Sequence, residues 1–396
     1  MQLKTIRDID LKNKRVLVRV DFNVPIVSGK VSDDTRIREA LPTIKFLLDS
    51  EAKVILLSHL GRPDGKVVEG ERLTPVAERL EQLIKKPVKK ADDCVGKSAQ
   101  GIVSELKNGE IALLENTRFN PGEEANDPNF AKTLASFGDV FVQEAFGAVH
   151  RAHASTVGIS KYLPTVAGFL VEKEVSSLSQ VFENPQKPMV LILGGAKIDT
   201  KIGVLRKFSE IADQVLLGGG LANTFLAAEG YQVGESLYEE DKLELAQEIL
   251  MEAETKGCEI VLPSDVVCAD GDAKFSDSTP TMDIHTSSIP FNVKVLDIGV
   301  ETQKNYSEII KKAGTVVWNG PVGLFEFKPF SRGTKIIAEV CAGAKAVTLL
   351  GGGDTLEALS RFEIPTEKFT HVSTGGGAML EFLEGKKLPG LEVISS

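Results

Sequence analysis

Met189-Val-Leu-Ile-Leu-Gly-Gly-Ala-Lys197 decides how this chain is read. An apolar run stops at paired glycines, and a helical pattern follows. The same succession returns at Val215-Leu-Leu-Gly-Gly-Gly-Leu221, at Val347-Thr-Leu-Leu-Gly-Gly-Gly-Asp-Thr355 and at Val372-Ser-Thr-Gly-Gly-Gly-Ala378. A strand that feeds a helix through bare backbone leaves unpaired N–H groups at the helix N-terminus, and glycine lets an anion approach them closely. Glycines also close tight turns, so one such stretch says little. Their recurrence predicts a sheet whose carboxyl edge binds a polyphosphate.

The first half has the same strand rhythm with other endings. Val16 to Val20 leads to Asp21-Phe-Asn23, Val54 to Leu57 to Ser58-His59-Leu-Gly-Arg62, and Ile111 to Leu114 to Glu115-Asn116-Thr-Arg118. Val140 to Val142 leads through Gln143-Glu144 to His150-Arg151-Ala-His153. Arginine offers paired donors to carboxylate and phosphate alike, so these endings suit a small acidic, phosphorylated ligand. The halves read as two pockets with different preferences.

The chain has 396 residues, which favours two or more domains, each with its own core. A formal net charge of −10 argues against general nucleic-acid binding. An acidic protein that binds anions must gather its positive charge locally, and His59, His150 and His153 lie in the arginine-bearing segments. Cys94, Cys258, Cys268 and Cys341 show no zinc or disulfide spacing and read as buried, inert thiols. The N-terminus lacks the apolar core of a signal peptide, and no apolar run approaches the roughly 20 residues of a membrane span. The expectation is a cytoplasmic protein without membrane or nucleic-acid partners.

Alternating strand and helix patterns predict an α/β chain of two Rossmann-like domains with mostly parallel sheets. Helices are expected at Thr43–Asp49, Pro75–Lys85, Asn129–Ala135, Thr200–Ile211, Ala222–Glu229, Glu239–Thr255, Thr302–Lys312, Gly333–Cys341 and Asp354–Leu359. The boundary is placed near residue 170. There Val171, Val175, Leu178 and Phe182 form an apolar helical stripe, and Asn184-Pro-Gln-Lys-Pro188 ends it. That helix reads as a hinge between residues 1–170 and residues 171–382.

Together the motifs resemble those of the phosphoglycerate kinases of bacterial type, over essentially the whole chain. The resemblance rests on Val18-Arg-Val-Asp-Phe-Asn-Val-Pro25, Ser58-His-Leu-Gly-Arg-Pro63, Glu115-Asn-Thr-Arg-Phe119, His150-Arg-Ala-His-Ala-Ser155 and Gly194-Gly-Ala-Lys197. Trp318-Asn-Gly-Pro-Val-Gly-Leu-Phe-Glu326, Gly351-Gly-Gly-Asp-Thr355 and Ser373-Thr-Gly-Gly-Gly377 complete it. The resemblance implies reversible phosphoryl transfer in glycolysis, from 1,3-bisphosphoglycerate to MgADP, giving 3-phosphoglycerate and MgATP. It implies a monomer, and a C-terminal segment 383–396 that returns to the first domain.

Carried onto this sequence, the resemblance places the acid substrate on Asp21, Phe22, Asn23, Arg36, His59, Leu60, Gly61, Arg62, Arg118 and Arg151. Nucleotide would lie against Gly194, Gly195, Gly218, Gly219, Pro321 and Gly323, with Glu326 on the ribose. Gly352, Gly353, Asp354 and Thr355 would line the phosphate end, with Lys201 on phosphate and Asp354 holding Mg²⁺. Arg36, Lys197 and Lys201 would meet the migrating group, with the N–H groups of Gly375, Gly376 and Gly377 completing a cradle. Phosphoryl transfer needs placement and charge neutralisation more than acid–base work, which suits this set.

Three further expectations follow, the first two from spacing and the third from the chemistry of the cation the resemblance implies. Lys197 and Lys201 would share a helix face, four residues apart. Asp33-Asp-Thr35 would cap a turn that aims Arg36. Magnesium would be held mainly by nucleotide oxygens and one carboxylate. Read singly, Asp21 and Asn23 are strand-end turn formers, His59 a structural histidine, Gly220 and Gly353 packing residues, and His150 and His153 positioning residues. Arg38 reads equally as a salt-bridged side chain, and Trp318 as packing near the nucleotide slot. Ala148-Val149, Val300 and Met379 depart from the common family pattern, the last within the phosphate-cradling helix.

Rival readings fit less well. Gly96-Lys-Ser98 lacks the earlier glycine of a P-loop, whose position holds Ala91. The triple glycines fail the dinucleotide fingerprint at Asn223 and Leu356. A non-catalytic scaffold of the same fold remains the alternative.

Overall fold

The computed structural model describes residues 3–394. They fall into two compact units, one running to Ser176 and rejoined by the chain from Lys387 onward, the other spanning Ser177–Lys386.

Strict alternation builds the first unit. Along Arg15–Arg19, Val16 and Val18 enter one core and Leu17 the opposite one; Lys53–Leu57 divides likewise into Val54 and Leu56 against Ile55 and Leu57. Both faces of the sheet are therefore buried, the condition under which parallel strands are stable. The sheet is wholly parallel, in the order Val88–Lys90, Ile111–Leu113, Lys53–Leu57, Arg15–Arg19, Val140–Gln143, Thr165–Ala167. Helices Thr35–Asp49 and Thr74–Ile84 cover one face, and Lys97–Glu105 and Pro128–Ala135 the other. In the C-terminal segment the Gly390 amide donates to the Val149 carbonyl at 2.8 Å. The expected returning segment extends to residues 395 and 396, which lie outside the described residues.

The second unit repeats the plan. Its parallel sheet runs Glu259–Val261, Gln214–Leu217, Met189–Leu193, Thr315–Asn319, Val347–Gly351, His371–Ser373. A three-stranded antiparallel sheet, Met282–His285, Asp265–Asp270 and Val293–Ile298, stands beside it and has no counterpart in the sequence reading. Met282, Asp283 and His285 are exposed, so no apolar alternation marks that strand. The polar-seeming stretch Lys97–Glu105 is likewise a helix the sequence reading does not contain.

Several boundaries differ. The helix expected from Thr43 begins at Thr35 and runs through Pro42. Its buried face of Ile37, Ala40, Ile44, Leu47 and Leu48 outweighs the one backbone bond that proline removes. The helix expected from Glu239 starts at Leu243, and that expected over Thr200–Ile211 occupies only Ile202–Phe208. The stripe helix spans Phe169–Glu183 and buries Val171, Val175 and Leu178, with Val181 in place of the half-buried Phe182. Phe182 packs edge-on to Phe208, ring centroids 6.1 Å apart.

The start of that helix is held by a buried acid. Glu144 accepts from the Leu170 amide at 3.2 Å and bonds the Thr43 hydroxyl, which accepts from the Phe169 amide at 2.8 Å. Burial pushes this carboxyl up to about 8, against the opposing pull of those bonds. A raised acid contributes stability that is full below its unfolded value and lost as pH rises through its folded one. Glu144→Gln should therefore flatten the decline in unfolding midpoint between about pH 5 and pH 8. Thermal unfolding followed across that range checks it, and an unchanged slope would contradict the assignment.

Candidate functional site

In each unit the parallel strands all end at the same edge of their own sheet, and the predicted residues of that unit lie in the segments that follow them. In the first unit the Arg36 guanidinium donates from Nη1 to Asp21 Oδ2 at 3.0 Å and to the Asn23 carbonyl at 3.2 Å. Asn23 Oδ1 accepts from the Gly61 amide at 3.0 Å, and Arg118 Nη1 donates to the Gly61 carbonyl at 2.7 Å. Arg118 is buried and pairs through Nε with Glu124 at 3.0 Å. Arg151 Nε lies 3.2 Å from His150 Nε2, and Arg62 is exposed. Phe22 and Leu60 are buried in the core, so they offer this edge backbone only. The Leu60 carbonyl, for instance, accepts from Asn116 Nδ2 at 2.7 Å.

Arg36 stands in the first turn of its helix, but the cap differs from the expected one. Asp33 accepts from the Thr35 amide at 2.9 Å, while Asp34 is committed to Arg38 at 2.7 Å and Arg79 at 2.6 Å. Arg38 is thus a salt-bridged side chain, one of the two roles its position allowed.

The electrostatics follow from crowding cations at a buried edge. Burial drives His59 well below the usual histidine range, helped by Arg19, Arg118 and Arg36 and opposed by Asp21. Burial brings His153 down to about 4, with Arg118, Arg19, Arg151 and His150 adding to it. Both rings are neutral at pH 7. Burial acts to raise Asp21, yet Arg36, His59 and Arg19 outweigh it and the net shift is downward. Since His59 is neutral, Arg36 and Arg19 carry that effect.

In the second unit the glycines permit close backbone passage. A Cβ on Gly194 would sit 1.9 Å from the Pro321 carbonyl, and one on Gly218 would sit 2.4 Å from Val322 Cβ. The Gly195 amide donates to Pro321 and the Gly219 amide to Val322, at 3.0 and 2.9 Å. These contacts bring residues 194–195, 218–219 and 320–323 together as one wall. Gly323 abuts the Asp297 carboxylate, and Trp318 is fully buried with its indole N–H on the Gly320 carbonyl at 2.8 Å. Glu326 is exposed, and its carbonyl accepts from Arg361 Nη2 at 2.6 Å.

Lys197 and Lys201 do not share a helix face. Both precede the helix Ile202–Phe208, because the chain leaves Met189–Leu193 through a loop instead of turning at once. Lys197 is exposed; Lys201 is buried and donates from Nζ to Asn319 Oδ1. Asn319 Nδ2 in turn donates to the Gly351 carbonyl at 2.7 Å, and Thr355 Oγ1 accepts from the Gly320 amide at 2.8 Å. Burial pulls Lys201 down to about 8 against the opposing charge of Asp354. Asp354 is exposed in the first turn of Gly353–Arg361, which Gly352 enters at φ +105. Gly375 donates to Ser373 Oγ at 3.1 Å, and Gly376 turns at φ +49. Met379 is buried, its sulfur 2.0 Å from where a Gly351 Cβ would stand, so it packs under the sheet instead of facing the glycine cradle.

Some helix starts are closed from within by a carboxyl group and others are not. Asp93 accepts from the amides of Gly96, Ser98 and Ala99, Asp127 from Asn129 and Phe130, Asp265 from Glu301 and Thr302, and Asp297 from Gly333. The helices beginning at Gly219, Gly353 and Gly377 carry no side-chain cap. The P-loop-like Gly96-Lys-Ser98 thus presents its amides to an internal carboxylate.

Sequence reading missed Arg19, Glu123 and Asn319. Arg19 is 1% exposed within a strand, and the one available signal was a charge inside an otherwise apolar run. The four thiols are buried and free. No helix among the described residues is long and apolar enough to cross a membrane.

A profile of the phosphoglycerate kinase family matches residues 6–386. The chain is 50% identical over 391 residues to the phosphoglycerate kinase of Moorella thermoacetica, covering 99% of this chain and 98% of the relative. It is 50% identical over 394 residues to that of Pelotomaculum thermopropionicum, covering 100% and 99%. Among solved structures, the phosphoglycerate kinase of Coxiella burnetii matches with a TM-score of 0.88 at 41% identity, over 99% of both chains. That of Pyrococcus horikoshii matches with a TM-score of 0.86 at 32% identity, over 99% of this chain and 98% of the other. The two doubly wound units, the arginine-lined edge of one and the glycine-walled edge of the other lead to the same conclusion: the chain belongs to the phosphoglycerate kinase family and is a kinase of that activity.

Proposed function

We propose that the chain transfers a phosphoryl group reversibly between 1,3-bisphosphoglycerate and MgADP, with the acid substrate on the first unit and nucleotide on the second. The observation that carries this division is the contrast between the two edges. Arg36 and the neutral His59 stand at Asp21, with Arg118 on the Gly61 carbonyl and Arg151 acting on Arg118, whereas the second edge is bare glycine backbone with Lys201 behind it. The first suits a small ligand with carboxylate and phosphate groups. The second suits a flat base and a phosphate chain.

Adenosine would lie against Gly194, Gly195, Gly218, Gly219, Pro321 and Gly323, with Glu326 on the ribose. Gly352, Gly353 and Thr355 would border the phosphates. Magnesium fits Asp354, an exposed carboxylate at a helix start beside those glycines. When bound with nucleotide it would neutralise charge on the phosphate oxygens. Lys201 would hold phosphate, and Lys197, exposed and on a loop, would reach the migrating group. Arg36 would meet that group from the first unit, and the amides of Gly375, Gly376 and Gly377 would serve it from the second.

Substrates held on separate units react only after closure, and Phe169–Glu183 is our candidate hinge. Closure would also exclude the water that hydrolyses an acyl phosphate. The family reading further supports a cytoplasmic monomer in glycolysis.

Incubation with MgATP and 3-phosphoglycerate in hydroxylamine should give an acyl hydroxamate that requires both substrates. Binding of both without product would favour a scaffold, and binding of neither would refute the pockets. Arg36→Ala should lower kcat by about 10²–10³, as loss of a preorganised donor does; near-normal turnover would remove Arg36 from the chemistry. Lys201 is charged below about pH 8 and loses its proton above it. KM for MgATP should therefore rise above that pH in the wild type and stay flat in Lys201→Arg, as steady-state kinetics across pH 7–10 would reveal.

A further inference from the structure

A buried chain of polar groups lies behind the proposed acid-substrate pocket. Glu123, fully buried, accepts from the Ser155 hydroxyl, from the Ser155 amide at 3.0 Å and from the Thr117 hydroxyl at 3.2 Å. Ser155 Oγ accepts from Arg19 Nε at 2.7 Å, and Arg19 Nη1 donates to the Val20 carbonyl. The remaining arm, Arg19 Nη2, lies 3.0 Å from His59 Nδ1. The guanidinium is therefore held by three partners and has little freedom to turn.

A guanidinium has donors and no acceptor. At 3.0 Å from Arg19, Nδ1 of His59 must be the accepting nitrogen, so the ring proton resides on Nε2. Asp21 Oδ1 stands 3.8 Å from the same Nδ1, beyond hydrogen-bond reach. Without Arg19 that carboxylate would be the nearest charged group and would draw a proton to Nδ1. No protein group among the described residues takes a hydrogen from Nε2, and the His59 side chain keeps 10% of its surface accessible.

We propose that Arg19 is a positioning residue that fixes His59 as the uncharged Nε2–H tautomer, so that the ring offers the acid substrate a directed donor without a further charge. The assignment of the substrate to this pocket rests on the function proposed above; the tautomer does not. The device has a physical rationale in a pocket already dense with arginines. An added imidazolium charge would cost desolvation, whereas a neutral ring with a known proton position costs little and still hydrogen-bonds an anionic oxygen.

Long-range ¹H–¹⁵N correlation spectra of the full chain carrying ¹⁵N-histidine test this, with His59 assigned by comparison with His59→Gln. The ligand-free protein should show His59 protonated at Nε2 only and free of titration across the usual histidine range. A proton on Nδ1, or an imidazolium at pH 7, would overturn the lock without any variant. Arg19→Met should move the proton to Nδ1 or bring the ring's titration into that window. It should also raise KM for 3-phosphoglycerate about tenfold or more while changing KM for MgATP less. Arg19→Lys keeps a buried donor and should retain the wild-type tautomer; if Arg19→Met does not fold, the ligand-free wild-type spectrum still decides the tautomer. A folded Arg19→Met with unchanged His59 resonances would overturn the proposal. Finally, 3-phosphoglycerate should shift the His59 Nε2 resonance. An unshifted resonance beside an intact tautomer would reject the substrate pocket and the donor's use there, and leave the lock standing.

Discussion

Burial of both faces of each six-stranded parallel sheet is the constraint from which the remainder follows. Val16, Val18, Val54 and Leu56 fill one side of the first sheet while Leu17, Ile55 and Leu57 fill the other. Polar side chains then have no outlet along the strands, and functional groups emerge where strands stop. The second sheet obeys the same rule with Val190, Ile192, Val316 and Trp318 in its core. Each unit can therefore vary its edge chemistry without disturbing what holds it together.

The two edges solve opposite problems. The first concentrates arginines in a protein of net charge −10 and compensates them with Asp21, Glu123 and Glu124. The second removes side chains altogether, so that carbonyls and amides of three strand ends approach within contact distance. Its buried cation, Lys201, donates to Asn319, and burial, only partly offset by the charge of Asp354, makes its proton easier to lose.

Much of this was legible in the sequence because strands with two buried faces read as unbroken apolar runs, and because glycine and arginine punctuate their ends. What was not legible had local causes. Pro42 marks a helix boundary by rule, but a well-buried apolar face carries the helix through it. Lys197 and Lys201 have helical spacing, but a loop intervenes before Ile202. The antiparallel strand Met282–His285 is exposed and shows no alternation. Arg19 looked like a strand residue because its partners, His59, Ser155 and Glu123, are distant in sequence and meet only through the fold. Spacing reports neighbours along the chain; it does not report what a strand end faces across a sheet.

The aspartates at helix starts carry a wider implication. Every exposed turn of amides is in principle a port for phosphate, and a cell offers inorganic phosphate and nucleotides in abundance. Asp93, Asp127 and Asp265 close such ports from within with a carboxylate of their own, and the buried Asp297, its carboxyl pushed up to about 8, closes another by hydrogen bonding. Helices that begin at Gly219, Gly353 and Gly377 are left open to the outside. Selectivity for anions in this molecule is thus partly a matter of self-occupancy. At those four helix starts the protein stands in for an anion itself, and losing one such aspartate would open a new port without adding a single positive charge.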